Sequence, residues 1–111
     1  MRQSMTAVVE RNVEWRGSFA LEPYEAAWAS EAVYFVRALA AEAMPVGVNA
    51  RVQISPDGMH WTDEGTQLTV PHEPAGLSFC RVRHFGGWLR LVGELPPGAG
   101  VTVIAYLVLK E

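Results

Sequence analysis

The sequence predicts an all-β fold, a single antiparallel β-sandwich with jelly-roll-like character. Apolar and polar residues alternate with period two in several short segments, which is the pattern of strands with one buried face. Turn-forming residues recur about every 8–12 residues between these segments, which is typical of sandwiches and small barrels. A length of 111 residues fits one domain, so we expect residues 1–111 to share one core.

The clearest element is a hairpin around Ser55-Pro56-Asp57-Gly58. Residues 50–54 alternate between apolar and polar side chains before it, and the alternation resumes at Met59 and Trp61. Proline fixes φ at the first turn position, aspartate can bond its own backbone, and glycine accepts a positive φ. Two antiparallel strands joined by a wide polar tip are therefore predicted.

Further strands are predicted on both sides of this hairpin, over residues 6–21 (one or two strands), 66–70, 77–85, 88–95 and 101–110. Gly86-Gly87 is a two-residue hairpin signal between two of them. Such a hairpin would bring Arg83 and Arg90 opposite or diagonal to each other. Their charges would then require Glu94, or carboxylates of another chain, as partners.

Residues 24–43 leave two structures open. An amphipathic helix, which would make the fold α+β, fits the alanine content and the spacing of Tyr24, Trp28, Ala32, Phe35 and Leu39. Residues 32–36 form instead a compact β-branched and aromatic run of strand length. Because the rest of the chain is β, we predict a strand over residues 31–40 and a loop over residues 23–30.

Composition narrows the classes of function. The net charge of −3 predicts no basic surface for nucleic acid. No apolar stretch approaches the ~20 residues of a membrane span. The first five residues contain no apolar run, so we expect synthesis in the cytoplasm without a signal peptide. The single cysteine, Cys80, lies in an apolar strand pattern that favours an inert core thiol over a reactive one.

No motif of an enzyme or a metal centre is present. The three histidines have no zinc-ligand spacing: His60, His72 and His84. Nucleophile elbows and glycine-rich phosphate loops are also missing. Four residues near the hairpin could offer ligands to a hard cation, although a solvated turn is favoured because EF-hand spacing is missing: Asp57, His60, Asp63 and Glu64. We therefore predict a non-enzymatic protein without metal or cofactor.

Three segments of the chain resemble segments of a known group of proteins. They are the hairpin Ser55-Pro56-Asp57-Gly58-Met59-His60-Trp61-Thr62, the run Phe85-Gly86-Gly87-Trp88-Leu89-Arg90 before a strand, and a closing strand ending at Lys110. Over residues 31–110 the chain resembles small β-sandwich structural proteins of tailed phages and prophages. The resemblance implies an assembly role in a virion, as a head-decoration or tail accessory protein with capsid or tail proteins as candidate partners. It brings no catalytic residues.

A carbohydrate-binding module is the alternative function. Aromatic rings pack on the apolar faces of sugars, and the chain has four tryptophans. Trp15 and Trp88 are predicted to lie in the core. Trp61 follows the polar turn and is the best candidate for an exposed ring, with Asp57 and His60 as polar contacts to a glycan or another partner.

The last predicted strand, residues 101–110, indicates self-association. One of its faces is fully apolar, and the other carries three large apolar side chains: Ile104, Tyr106 and Val108. The outer face of a sandwich strand is normally polar, so these three side chains need a cover. Tyr24 and Trp28 could provide it within the chain. We favour contact with another copy, in a homo-oligomer expected to be a closed ring such as a trimer.

Overall fold

A computed structural model describes residues 3–111, and every regular element in this range is a β-strand. The nine strands are β1 (Ser4–Trp15), β2 (Ser18–Ala20), β3 (Tyr24–Glu25), β4 (Glu31–Glu42), β5 (Asn49–Ser55), β6 (Thr62–Thr69), β7 (Leu77–Arg83), β8 (Trp88–Glu94) and β9 (Gly100–Lys110). The predicted all-β class is confirmed, and the α+β alternative is wrong. Residues 1 and 2, which the predictions of a single domain and of no signal peptide include, lie outside the described residues.

The strands form two antiparallel sheets packed face to face as a β-sandwich. Sheet A has the order β1-β9-β4-β7, and sheet B has the order β2-β8-β5-β6, with β3 paired to β8. The connections from β2 to β3 and from β5 to β6 stay within sheet B. Every other connection between the described strands crosses from one sheet to the other, which brings all nine strands around one core.

The segment that was ambiguous in sequence is a strand. β4 pairs with β7 on one side and with β9 on the other, so it is central in sheet A. Its alternate side chains are buried: Ala32, Tyr34, Val36 and Ala38. Helix propensity differs by less than about 1 kcal/mol per residue among these residue types, and two ladders of tertiary pairing outweigh it.

The hairpin prediction for Gly86-Gly87 is wrong. β7 ends at Arg83 in sheet A and β8 begins at Trp88 in sheet B, so this loop crosses between the sheets. Residues 77–85 were predicted to form one strand, but Phe85 lies beyond the end of β7 and is 3% exposed. Burial of its ring draws the chain across the edge of the sandwich, where a two-residue turn would have kept both strands in one sheet.

Arg83 and Arg90 consequently lie in different sheets. Arg83 approaches Glu31 of the neighbouring strand, with 3.6 Å between the guanidinium and the carboxylate. The Nε of Arg90 donates a hydrogen bond to the side-chain oxygen of Gln53 at 2.8 Å. Glu94, which the sequence offered as their partner, instead accepts hydrogen bonds from Arg51 at 3.0 and 3.1 Å.

The core lies between the two sheets. β9, in the interior of sheet A, buries one complete face: Val101, Val103, Ala105, Leu107 and Leu109. Trp15 is buried as predicted, and its ring stacks on Phe19 with centroids 4.0 Å apart and planes 6° from parallel. Trp88 is half-buried and covers Gly58 of the hairpin tip.

The hydroxyl of Tyr34 is buried and has no hydrogen-bond partner among residues 3–111. Burial, and then the neighbouring Cys80, raise the pKa of Tyr34. Because an unpaired buried hydroxyl carries a desolvation cost, we expect Tyr34→Phe to keep or increase the free energy of unfolding, by up to about 1 kcal/mol. Urea denaturation measures this change, with Tyr34→Leu as the destabilised control. A clear loss of stability in Tyr34→Phe would contradict the unpaired hydroxyl.

Candidate functional site

The outer face of sheet A carries a continuous patch of large apolar side chains. Strand register aligns outward residues in rows, and the central row runs across all four strands: Val8, Tyr106, Phe35 and Phe79. The row on one side adds Val108 and Val33, and the row on the other adds Ile104 and Leu77. We call these eight residues the apolar face: Val8, Val33, Phe35, Leu77, Phe79, Ile104, Tyr106 and Val108.

Much of this surface is open to solvent. Leu77 is 61% exposed, Phe79 51% and Val8 40%, and the other five side chains are half-buried. The rings of Phe35 and Phe79 lie 6.0 Å apart and tilted by 34°, so they form one aromatic pair on the surface. Such a patch on a sandwich face that would normally be polar is the kind of surface that binds another macromolecule.

The three residues selected from sequence, Ile104, Tyr106 and Val108, lie together on this face. Tyr24, a candidate cover for them, belongs to β3, which pairs with β8 in the opposite sheet. Its hydroxyl lies 3.7 Å from the Met5 sulfur instead. The alternating pattern of β9 predicted three of the eight residues. The other five could be identified only from strand pairing, because β1 and β4 pair with β9 and β7 pairs with β4.

Basic residues border the apolar face at both ends. The rows at its ends contain five of the nine basic residues of the chain: Arg11, Arg37, Arg81, Arg83 and Lys110. Glu31 lies between Lys110 and Arg83 in the outermost row. Since the whole chain has a net charge of −3, the rest of its surface is acidic.

The outer face of sheet B is different in character. Its polar side chains are hydrogen-bonded to one another across the strands. Gln53 accepts from Arg90 at 2.8 Å and donates to Asp63 at 2.9 Å, and Arg51 forms ion pairs with both Asp63 and Glu94. These polar and charged side chains therefore already have hydrogen-bond or ion-pair partners within the chain. The unusual outer surface of the sandwich is therefore the apolar face of sheet A.

The hairpin residues Asp57 and His60 lie side by side, as the sequence indicated. One carboxylate oxygen of Asp57 accepts hydrogen bonds from the N–H groups of Met59 and His60, both at 2.9 Å, and the other lies 2.7 Å from Nδ1 of His60. Ser55 also donates to Asp57, at 3.0 Å. The guanidinium of Arg90 lies 4.2 Å from the centroid of the Trp61 ring.

These bonds favour the ionised form of Asp57. The N–H groups of His60 and Met59, and then the ring of His60, hold the pKa of Asp57 well below its usual value. The ionised form therefore stabilises the fold above pH ~4, and this contribution is lost as the pH falls further. We expect Asp57→Asn to lower the melting temperature at pH 7 by about 1–3 °C, a small effect because solvent screens the partly exposed carboxylate. The difference from the wild type should shrink toward pH 2.

A pH series of thermal unfolding, read by circular dichroism, measures this difference. Glu73→Gln is the control, because Glu73 is an exposed carboxylate in a loop and should give no comparable effect. Equal melting temperatures of Asp57→Asn and the wild type at pH 7 would contradict the stabilising role of the carboxylate.

The single cysteine, Cys80, is buried in the core. Burial raises the pKa of the Cys80 thiol to about 11, so the thiol is largely protonated at neutral pH. Residues 3–111 contain no group of three or more His, Cys, Asp or Glu side chains that could hold a metal ion. No helix long and apolar enough to cross a membrane occurs in the same range. Comparison of the chain with protein-family models and with curated proteins gave no match.

Proposed function

We propose that the protein is a non-enzymatic structural protein that assembles with copies of itself through the apolar face. The observation that carries the proposal is the position of eight large apolar side chains on the solvent side of sheet A. With strands about 4.8 Å apart and outward residues about 6.6 Å apart along each strand, the eight side chains cover about 250 Å² in projection. A specific interface buries at least about 1,000 Å² in total, so a contact between two copies would extend beyond the apolar face onto its basic border.

The charge distribution favours a head-to-tail contact. A two-fold contact of one apolar face with another would bring two basic borders together, and each copy would contribute five cations. An acidic surface of the neighbouring copy complements the border better. Head-to-tail contacts close into rings when the rotation permits, and each copy then has two interfaces. A closed ring such as a trimer is therefore the proposed assembly.

The strand order supports a role in a virion. Taking β2 and β3 as one interrupted strand, the sheets have four strands each, and the chain passes between them at nearly every step. This winding supports the jelly-roll-like arrangement, an architecture used by viral capsid and lectin domains. Together with the resemblance to tailed-phage sandwich proteins, it favours a head-decoration or tail accessory protein, with capsid or tail proteins as further partners.

The contacts of the hairpin residues give less support to a carbohydrate-binding module. Arg90 lies over the Trp61 ring, and Asp57 already accepts hydrogen bonds from its own turn. A sugar would have to displace these contacts to use the residues chosen from sequence. We therefore propose self-assembly as the function and no second one.

Light scattering after size-exclusion chromatography tests this proposal with the variant Tyr106→Glu. Tyr106 is at the centre of the apolar face, and a carboxylate there would be buried without a partner in the assembly. We expect the wild type to be oligomeric at micromolar concentration. The Kd for self-association should rise by about a hundredfold or more in the variant.

Met59→Glu is the matched control, because Met59 is 73% exposed and lies at the hairpin tip, outside the apolar face. It should remain oligomeric. Phe79→Glu is a second variant that should also dissociate the assembly, and it serves if Tyr106→Glu does not fold. A wild type that is monomeric at high micromolar concentration would contradict self-assembly.

A further inference from the structure

Among the described strands, β7 is the edge strand with regular backbone pairing. β1 has two register shifts against β9 and a positive φ at Asn12, and β6 has a shift next to Gly65, whose φ is +112°. β2 and β3 have three and two residues. Bulges and short strands protect edges against pairing with other chains. β7, in contrast, pairs with β4 over seven consecutive residues without a shift, and no described strand pairs with its other side.

The backbone groups on the free side of β7 can be assigned. The N–H of Ala38 donates to the carbonyl of Gly76 at 2.9 Å, which fixes the alternation of the antiparallel ladder. Ser78, Cys80 and Val82 consequently exchange hydrogen bonds with β4. Four other residues direct their N–H and C=O groups away from β4: Leu77, Phe79, Arg81 and Arg83.

The side chains of the same four residues lie on the outer face of sheet A and are exposed. Leu77 and Phe79 are apolar. Arg81 lies over the Phe79 ring at 5.0 Å and has no carboxylate within 4 Å among the described residues. Arg83 is 3.6 Å from Glu31, with 70% of its side chain exposed. A strand added here would place its own alternate side chains directly opposite these four.

We propose that the free edge of β7 accepts an antiparallel strand from an acidic, extended segment of another protein. Carboxylates of that segment would pair with Arg81 and Arg83, and its apolar side chains would cover Phe79 and Leu77. A second copy of β7 fits poorly, because self-pairing would bring four arginines into one ladder. The free edge shares Leu77 and Phe79 with the apolar face, and Arg81 and Arg83 with its border, but the partner is a different protein, so the inference goes beyond self-assembly.

A synthetic peptide provides the probe. In Glu-Thr-Glu-Thr-Val-Thr-Val, bound antiparallel, the two glutamates lie opposite Arg83 and Arg81 and the valines opposite Phe79 and Leu77. The control peptide has lysine in place of both glutamates. We expect hydrogen exchange, followed by nuclear magnetic resonance on the wild type, to slow at the amides of these four residues when the acidic peptide is added. The lysine peptide should bind about tenfold more weakly or worse.

Charge reversal tests the same contact from the protein side. The double variant Arg81→Glu with Arg83→Glu should lose about tenfold or more in affinity for the acidic peptide and prefer the lysine peptide. The matched control is Arg11→Glu with Arg37→Glu, which changes the charge of the same face equally on β1 and β4, strands that do not form the free edge. Its affinity should remain within about twofold of the wild type. Tyr106→Glu should dissociate the self-assembly and keep peptide binding, which separates the two proposals.

Three results would overturn the proposal. Equal affinity for both peptides would exclude selection by charge. Absence of protection at the β7 amides, up to millimolar peptide, would exclude strand addition. Amides of β7 that are already protected in the wild type, in a manner that depends on protein concentration, would show that a second copy occupies this edge.

Discussion

Leu107→Ala is expected to reduce the free energy of unfolding by about 3–4 kcal/mol, which corresponds to a fall of about 15 °C in melting temperature. Leu107 is fully buried and lies on β9, in the interior of sheet A between β1 and β4. Truncation removes apolar surface from the core and leaves a cavity, because strands paired on both sides cannot move inward to fill it. Urea denaturation followed by tryptophan fluorescence measures the loss.

Val108→Ala is the control for this prediction. Val108 is the next residue of the same strand, but it lies on the apolar face and is half-buried in the single chain. At concentrations low enough to keep the protein monomeric, its truncation should cost less than about 1 kcal/mol. Similar losses for the two variants would mean that the outer face of β9 is covered within one chain, which would remove the basis of the proposed assembly.

Period-two alternation was sufficient to predict most of the strands. β5, β8 and β9 lie where the pattern indicated, since each has one face in the core and the alternation survives in the sequence. The Ser55-Pro56-Asp57-Gly58 turn also joins two strands of one sheet, as its residues predicted. Such local signals depend on few neighbours, and the sequence contains them in full.

Bulges in β1 could not be predicted in this way. Strict alternation would place Val8, Glu10 and Asn12 on one face of the strand. Two register shifts against β9 put Val8 and Arg11 on the outer face and turn Glu10 inward, opposite Ala105. Burial, and then the nearby carboxylate of Glu22, raise the pKa of Glu10 as a result. A bulge depends on the partner strand, and so the sequence of β1 alone gives little sign of it.

The residues of the candidate site also differ in whether the sequence alone could predict them. Ile104, Tyr106 and Val108 were accessible from sequence because one strand contains all three. Phe35 and Phe79 join them through pairing between residues far apart in the chain, which no local pattern specifies. The prediction for residues 77–85 went wrong at Phe85 for a related reason, since burial of this ring depends on the crossing between sheets. Local periodicity predicted the strands, but the residues of the apolar face can be identified only from the pairing of strands in sheet A.

Gly93→Ala is expected to reduce the free energy of unfolding by about 2 kcal/mol, or about 10 °C in melting temperature. Gly93 is buried in β8, and a Cβ added there would lie 2.7 Å from Cζ of Phe19 and 3.3 Å from Cα of Ala50. The Phe19 ring cannot move away freely, because it stacks on Trp15 at 4.0 Å, and the Ala50 atom belongs to the backbone. These clashes outweigh the roughly 0.5–1 kcal/mol that alanine gains over glycine within a strand.

Two further variants make this prediction specific to the contact between Gly93 and Phe19. Gly87→Ala is the control, because a Cβ at Gly87 would meet its nearest atoms at 4.0 Å, and its stability should stay within about 0.5 kcal/mol of the wild type. Phe19→Leu removes the ring that the added methyl group would strike, so Gly93→Ala should cost about 1 kcal/mol less in the Phe19→Leu background than in the wild type. A cost that is unchanged in that background would assign the strain to Ala50 and not to the aromatic stack. Thermal and urea unfolding of the four proteins in this double-mutant cycle distinguish these results.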